Sequence, residues 1–101
     1  MKMSTSVIAK VEKRVATFNQ KHQTDYQCRI KGKFVYLDRS DRFGGFGPVG
    51  RLTYTNDFED WDYAIYKYTD NEYDEGEYFR GAGLLDGTVE GALKAGIKAY
   101  P

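Results

Sequence analysis

A chain of 101 residues with 41% hydrophobic and 30% charged residues has the length of one domain and excludes a disordered composition. No stretch approaches the ~20 apolar residues of a membrane span, and the single cysteine, Cys28, excludes an internal disulfide and a multi-cysteine zinc site. Fifteen Lys/Arg balance fifteen Asp/Glu, which argues against a dedicated nucleic-acid binder, but the charges are segregated: residues 1–51 hold eleven basic and four acidic residues (+7), residues 52–101 four and eleven (−7).

The N-terminal residues carry no long apolar run, so no signal peptide is expected and the setting reads as cytoplasmic. The first predicted element is a helix over 5–22. Val7, Val11, Val15 and Phe18 recur at helical spacing with Ile8 beside them, and Ser4, Thr5 or Ser6 supplies the N-cap oxygen. Two alternating runs, 26–30 and 33–37, flank Lys31-Gly32 and predict a hairpin. A Lys31-Gly32 turn sets Ile30 opposite Lys33, Cys28 opposite Val35 and Tyr26 opposite Leu37. One face then carries Tyr26, Cys28, Ile30, Val35 and Leu37, the better core candidate. The other carries Gln27, Arg29, Phe34 and Tyr36.

A glycine-rich loop over 38–48 leads into a strand at 49–55, a turn at 56–59 and a strand at 60–68. Only a four-residue loop, pairing Tyr54 with Trp61 and Leu52 with Tyr63, puts Leu52, Tyr54, Trp61, Tyr63 and Ile65 on one face. A one-residue slip would flip every side chain. Residues 69–85 read as a long connection whose aromatics pack onto the domain. The last element is a helix over 87–99 with a Val89, Leu93, Ile97 stripe, capped by Asp86 or Thr88. Gly91 and Gly96 each cost this helix roughly 1 kcal/mol, a cost that fits close backbone packing. The expected fold is α+β, αββββα: one domain, a four-stranded antiparallel meander with both helices on one face.

Chemical motifs are sparse. Gly45-Phe46-Gly47-Pro48-Val49-Gly50 matches G-x-G-x-x-G, but a strand rather than a helix follows, and Pro48 removes one amide donor. Asp70, Glu72 and Asp74 alternate like the first ligands of a calcium loop. The glycine then falls one position late, at Gly76, and position twelve is Gly81 rather than glutamate. His22 is the only histidine and sits at a helix end, while Cys28 faces the expected core, so a Cys–His catalytic pair is disfavoured. Asp57, Glu59, Asp60 and Asp62 cluster at an expected exposed turn. The sequence thus points away from an enzyme and implies no catalytic residue, metal or cofactor.

The outer sheet face carries the most interesting pattern. It combines Arg29, Phe34 and Tyr36 with Arg51, Tyr66 and Tyr68, and Arg39 and Arg42 lie in the adjoining loop. Tyrosine and arginine together mark protein interfaces, and the same pairing holds single-stranded nucleic acid. The competing expectation is that residues 69–85 fold back and cover these rings with Tyr73, Tyr78 and Phe79. The preferred reading is a protein-binding or self-associating module. Single-stranded nucleic-acid binding is the alternative, and a small enzyme using acidic residues ranks last.

Four strings carry a resemblance: Val11-Glu12-Lys13, Gly32 through Arg39, Pro48 through Tyr54, and Trp61 through Tyr68. In these the chain resembles a group of small bacterial proteins catalogued as a domain of unknown function. The resemblance implies a bacterial origin and a cytoplasmic setting, and supplies no activity or site residue.

Overall fold

The structure, a computed structural model, describes residues 3–41, 43–76 and 78–101. Helix α1 (Thr5–His22) is followed by strands β1 (Gln27–Lys31), β2 (Phe34–Ser40), β3 (Phe46–Thr53), β4 (Asp62–Lys67) and β5 (Glu72–Asp74). A 3-10 turn (Ala82–Leu84) then precedes helix α2 (Val89–Ala99). The strands form one antiparallel sheet in chain order. The α+β class and the meander are as expected, with five strands in place of four. The extra strand, β5, lies inside the expected loop 69–85. Asn71, at φ 53°, supplies the left-handed residue that brings Glu72 back opposite Lys67, and Tyr73 packs edge-on against Tyr66, its ring centroid 5.0 Å away.

Helix α1 has the expected bounds. The Ser4 hydroxyl accepts the Val7 amide at 3.2 Å, and Gln23, at φ 53°, ends the helix. Its Val11, Val15 and Phe18 are buried in one cluster with Val89 and Leu93 of α2 and with Val35, Leu37, Leu52, Trp61, Tyr63 and Ile65 of the sheet. Both helices therefore lie on one face. Arg14 Nη1, on α1, donates to both carboxylate oxygens of Glu90, on α2, at 3.1 Å.

The β3–β4 register is as read, with Leu52 opposite Tyr63 and Gly50 opposite Ile65. The strands part earlier than expected: the ladder ends at Thr53 opposite Asp62, and the Tyr54 and Trp61 amides donate to the Lys33 and Gly87 carbonyls instead. The first hairpin differs. Ile30 pairs with Val35 and Cys28 with Leu37, so the turn is Gly32-Lys33 rather than Lys31-Gly32. Gly32 stands at φ 60° as first central residue, the position where a II′ turn wants glycine. The shift is two residues, so the faces are unchanged. Strand β3 starts at Phe46, three residues earlier than expected, and β2 runs to Ser40. An irregularity between Leu37 and Asp38 leaves Val49 as the extra residue of a bulge, which is where a strand tolerates Pro48.

Helix α2 starts at Val89. Thr88 caps it, accepting the Gly91 amide at 3.0 Å, and is itself held by the Asp86 carboxylate. Close packing at the two glycines is present. A methyl on Gly96 would strike the Tyr26 hydroxyl and Val49 Cγ1, and one on Gly91 would strike the Asp86 carboxylate and the Leu84 carbonyl. Thr88→Ala is expected to cost about 1 kcal/mol, read as a lower urea midpoint at unchanged slope.

Candidate functional site

Alternation sends Tyr63 and Ile65 toward the helices, so their neighbours Arg51, Ala64 and Tyr66 face away. In register, Arg29 of β1, Tyr36 of β2, Arg51 of β3 and Ala64 of β4 form one row across this outer face. Phe34 lies on one side of the row, and Tyr66 with its partner Tyr73 on the other. Ala64 is fully buried although no helix lies on this side. Its small side chain leaves room for Tyr73, whose ring reaches Tyr36 at 5.3 Å between centroids.

The two arginines are in different electrostatic states. Arg29 Nε donates to Asp38 Oδ2 at 2.7 Å and Nη2 to Oδ1 at 3.2 Å, and the guanidinium stands 5.1 Å from the Tyr36 ring. This bonding to Asp38 raises the Arg29 pKa above its ordinary value. Arg51 is clasped between rings, its guanidinium carbon 4.6 Å from the Phe34 centroid and 5.4 Å from that of Tyr73. Its Nε is buried without a hydrogen-bond partner, and no carboxylate of the described residues forms an ion pair with it. Cation–π contacts supply attraction but leave Nε–H without an acceptor.

Of the residues expected here, Arg29, Phe34, Tyr36, Arg51 and Tyr66 come together. Tyr68 lies at the rim, 51% exposed, its hydroxyl donating to the Pro48 carbonyl at 2.5 Å and its ring edge-on to Tyr66 and Tyr100. Arg39 belongs to the helix side: it donates to the Thr24 hydroxyl at 2.8 Å and to the Tyr100 carbonyl at 2.7 Å. Because β2 extends to Ser40, Arg39 alternates with Val35 and Leu37 rather than lying in a loop. Arg42 lies outside the described residues.

The expected cover is only partly there. Tyr73 joins the face as part of β5, burial pushing its hydroxyl pKa up. Phe79 turns instead to the helix side against Tyr63, and Tyr78 is 83% exposed. The stretch 81–87 follows Phe79, with Gly81 abutting Lys98 of α2. Two participants were not recognised in the sequence as site residues, Asp38 and Tyr73. Asp38 faces Gln27, one diagonal step from Arg29, and becomes readable once the register is known.

The remaining motifs have structural partners. Asp41 accepts the amides of Phe43 at 2.8 Å and Gly45 at 3.1 Å, closing the β2–β3 tip. The glycine string is therefore a hairpin end, with Phe43 and Phe46 exposed beside it. Asp70 and Asp74 hold the Lys67 ammonium at 3.0 and 3.8 Å. Among the described residues no three His, Cys, Asp or Glu are grouped to hold a metal ion. His22 stacks on Phe18, and burial raises the Cys28 thiol pKa. No helix among the described residues is long and apolar enough to cross a membrane.

No protein-family model matches the chain, and neither a curated protein nor a solved structure is similar to it.

Proposed function

We propose that this chain is a non-enzymatic protein-interaction module that binds through its outer sheet face, with Arg51 as the anchor for an acidic side chain of the partner. The carrying observation is the Arg51 guanidinium, walled by Phe34 and Tyr73 and lacking a carboxylate partner among the described residues. A partly buried cation without a counter-ion is costly, and a partner's carboxylate removes that cost while adding charge-assisted hydrogen bonds. Tyrosine and arginine at the centre of an open patch fit a hot spot. The nucleic-acid reading is less favoured. Arg29 is closed by Asp38, and Tyr36, Tyr66 and Tyr73 pack edge to face, leaving fewer free ring faces for bases. The lone, half-buried Cys28 and the resemblance noted above support a reducing bacterial cytoplasm.

The test is titration with a labelled peptide in which Asp and Glu alternate with Tyr, its Asn/Gln counterpart, and a single-stranded oligothymidylate. Binding of the acidic peptide alone is expected, weakened roughly tenfold or more by Arg51→Gln, the loss typical of a charged hydrogen bond. Equal binding of the amide peptide, or full binding by the variant, overturns the assignment. Strong salt-sensitive oligonucleotide binding would replace it with the nucleic-acid reading.

A further inference from the structure

The segregation of charge along the chain survives folding. Because the meander keeps chain order, β1 and β5 are the two edges of the sheet, roughly 19 Å apart at the usual strand spacing. The β1 side carries Lys31 and Lys33 beside the Asp38-paired Arg29, with α1 packed next to it carrying Lys10, Lys13 and Lys21 and one acid, Glu12. On the β4–β5 side, residues 62–76 hold five Asp/Glu and one Lys. Part of this charge is paired locally, Arg29 with Asp38 and Lys67 with Asp70 and Asp74. Arg14 pairs from one half of the chain to the other, with Glu59 and Glu90. Lys31, Lys33, Glu72 and Glu75 are exposed and have no ion pair among the described residues. The backbone groups along the outer sides of β1 and β5 accept and donate no hydrogen bond within the described residues.

We infer that the two sheet edges are a docking pair for a second copy of this chain, the acidic β5 edge of one molecule meeting the basic β1 edge of the next. This goes beyond the outer-face reading and uses a different surface. An unpaired edge is a template for another strand. Charge then selects the partner. A two-fold dimer through an edge would set β1 against β1, base on base, or β5 against β5, acid on acid, and both arrangements repel. Head-to-tail contact sets opposite charges together and is heterologous, so it continues past the dimer or closes into a ring. Strand β5 is only three residues long, so few main-chain bonds form and the association is weak and salt-dependent.

The test is sedimentation of the intact protein over a concentration series at about 0.01 M salt, where charges act over ~30 Å, and at about 1 M, where they act over ~3 Å. Mass should rise with concentration past the dimer at low salt and collapse to monomer at high salt. Lys31→Glu with Lys33→Glu reverses two charges at the β1 edge, and Glu72→Lys with Glu75→Lys reverses two at the β5 edge. Each double variant alone should associate roughly tenfold more weakly or less, and an equimolar mixture of the two should regain association, which also shows that both fold. A protein monomeric at low salt, salt-insensitive association, or a mixture no better than its parts overturns the inference. Arg51→Gln should leave this self-association unchanged. A loss there would move the contact to the outer face, sparing the outer-face reading and sinking this one.

Discussion

Trp61→Ala is expected to remove about 3–5 kcal/mol of stability, a large share of the ~5–15 kcal/mol that holds a domain of this size folded. The indole is 4% exposed, and its Nε1–H donates to the Phe58 carbonyl at 2.6 Å while its amide donates to the Gly87 carbonyl at 2.7 Å. Its ring packs on Tyr54 at 5.1 Å and on Phe58 at 5.6 Å between centroids. Phe58 in turn receives the Lys10 ammonium at 4.2 Å and the Arg14 guanidinium at 5.2 Å, so the stack ties the β3–β4 loop to α1. Alanine opens a cavity where three elements meet and strands the Phe58 carbonyl. Trp61→Phe keeps most of the buried area and loses mainly the hydrogen bond, so about 1–2 kcal/mol is expected. Urea unfolding followed by far-UV circular dichroism reads both. A loss below 1 kcal/mol for the alanine variant would mean the loop collapses onto the gap, and would refute the tie to α1.

The parts of the fold that were legible in the sequence are those where a wrong choice would have exposed the core. The β3–β4 register is one. Slipping Leu52 against Tyr63 by a single residue would either bury Arg51 and Thr53 or expose Tyr63 and Ile65, so pattern alone decides. Helix α1 is another, with three buried positions at helical spacing between a hydroxyl cap and a left-handed stop. The β1–β2 turn was misplaced because a two-residue slip preserves both faces, leaving the choice to the backbone angle at Gly32. Strand β5 was invisible because Glu72-Tyr73-Asp74 offers one apolar residue and no period. What holds it is tertiary, the Tyr73 ring packing against Tyr36, Tyr66 and the Arg51 guanidinium. The outer face was legible as a set of residues but not as a set of pairings. That Arg29 is neutralised and Arg51 is not depends on Asp38 standing one diagonal step from β1, and Arg39 left the face once β2 proved longer than its apolar run.

Gly50→Ala is expected to cost about 2–3 kcal/mol, the upper part of the range for overpacking a core. Gly50 sits in central β3 between Leu37 and Ile65, and a methyl there would run into the Tyr63 phenol, with Cε1 at 2.7 Å and the hydroxyl oxygen and Cζ nearer still. The ring has little room to retreat, because Phe79 packs on it at 5.8 Å. The usual gain of up to ~1 kcal/mol from stiffening the unfolded chain is too small to offset this. The Tyr63 hydroxyl is buried without a partner, and burial drives its pKa well above the ordinary tyrosine value. Tyr63→Phe should therefore be neutral or stabilising, since it deletes an unsatisfied group and leaves the ring. The two substitutions are coupled through one atom. In the phenylalanine background Gly50→Ala meets no oxygen but still meets Cζ and Cε1, so its cost should shrink without vanishing. A double-mutant cycle by urea unfolding should return a coupling of about 0.5 kcal/mol or more. Strict additivity would show that the ring edge, and not the orphaned hydroxyl, sets the close approach of β3 to β4.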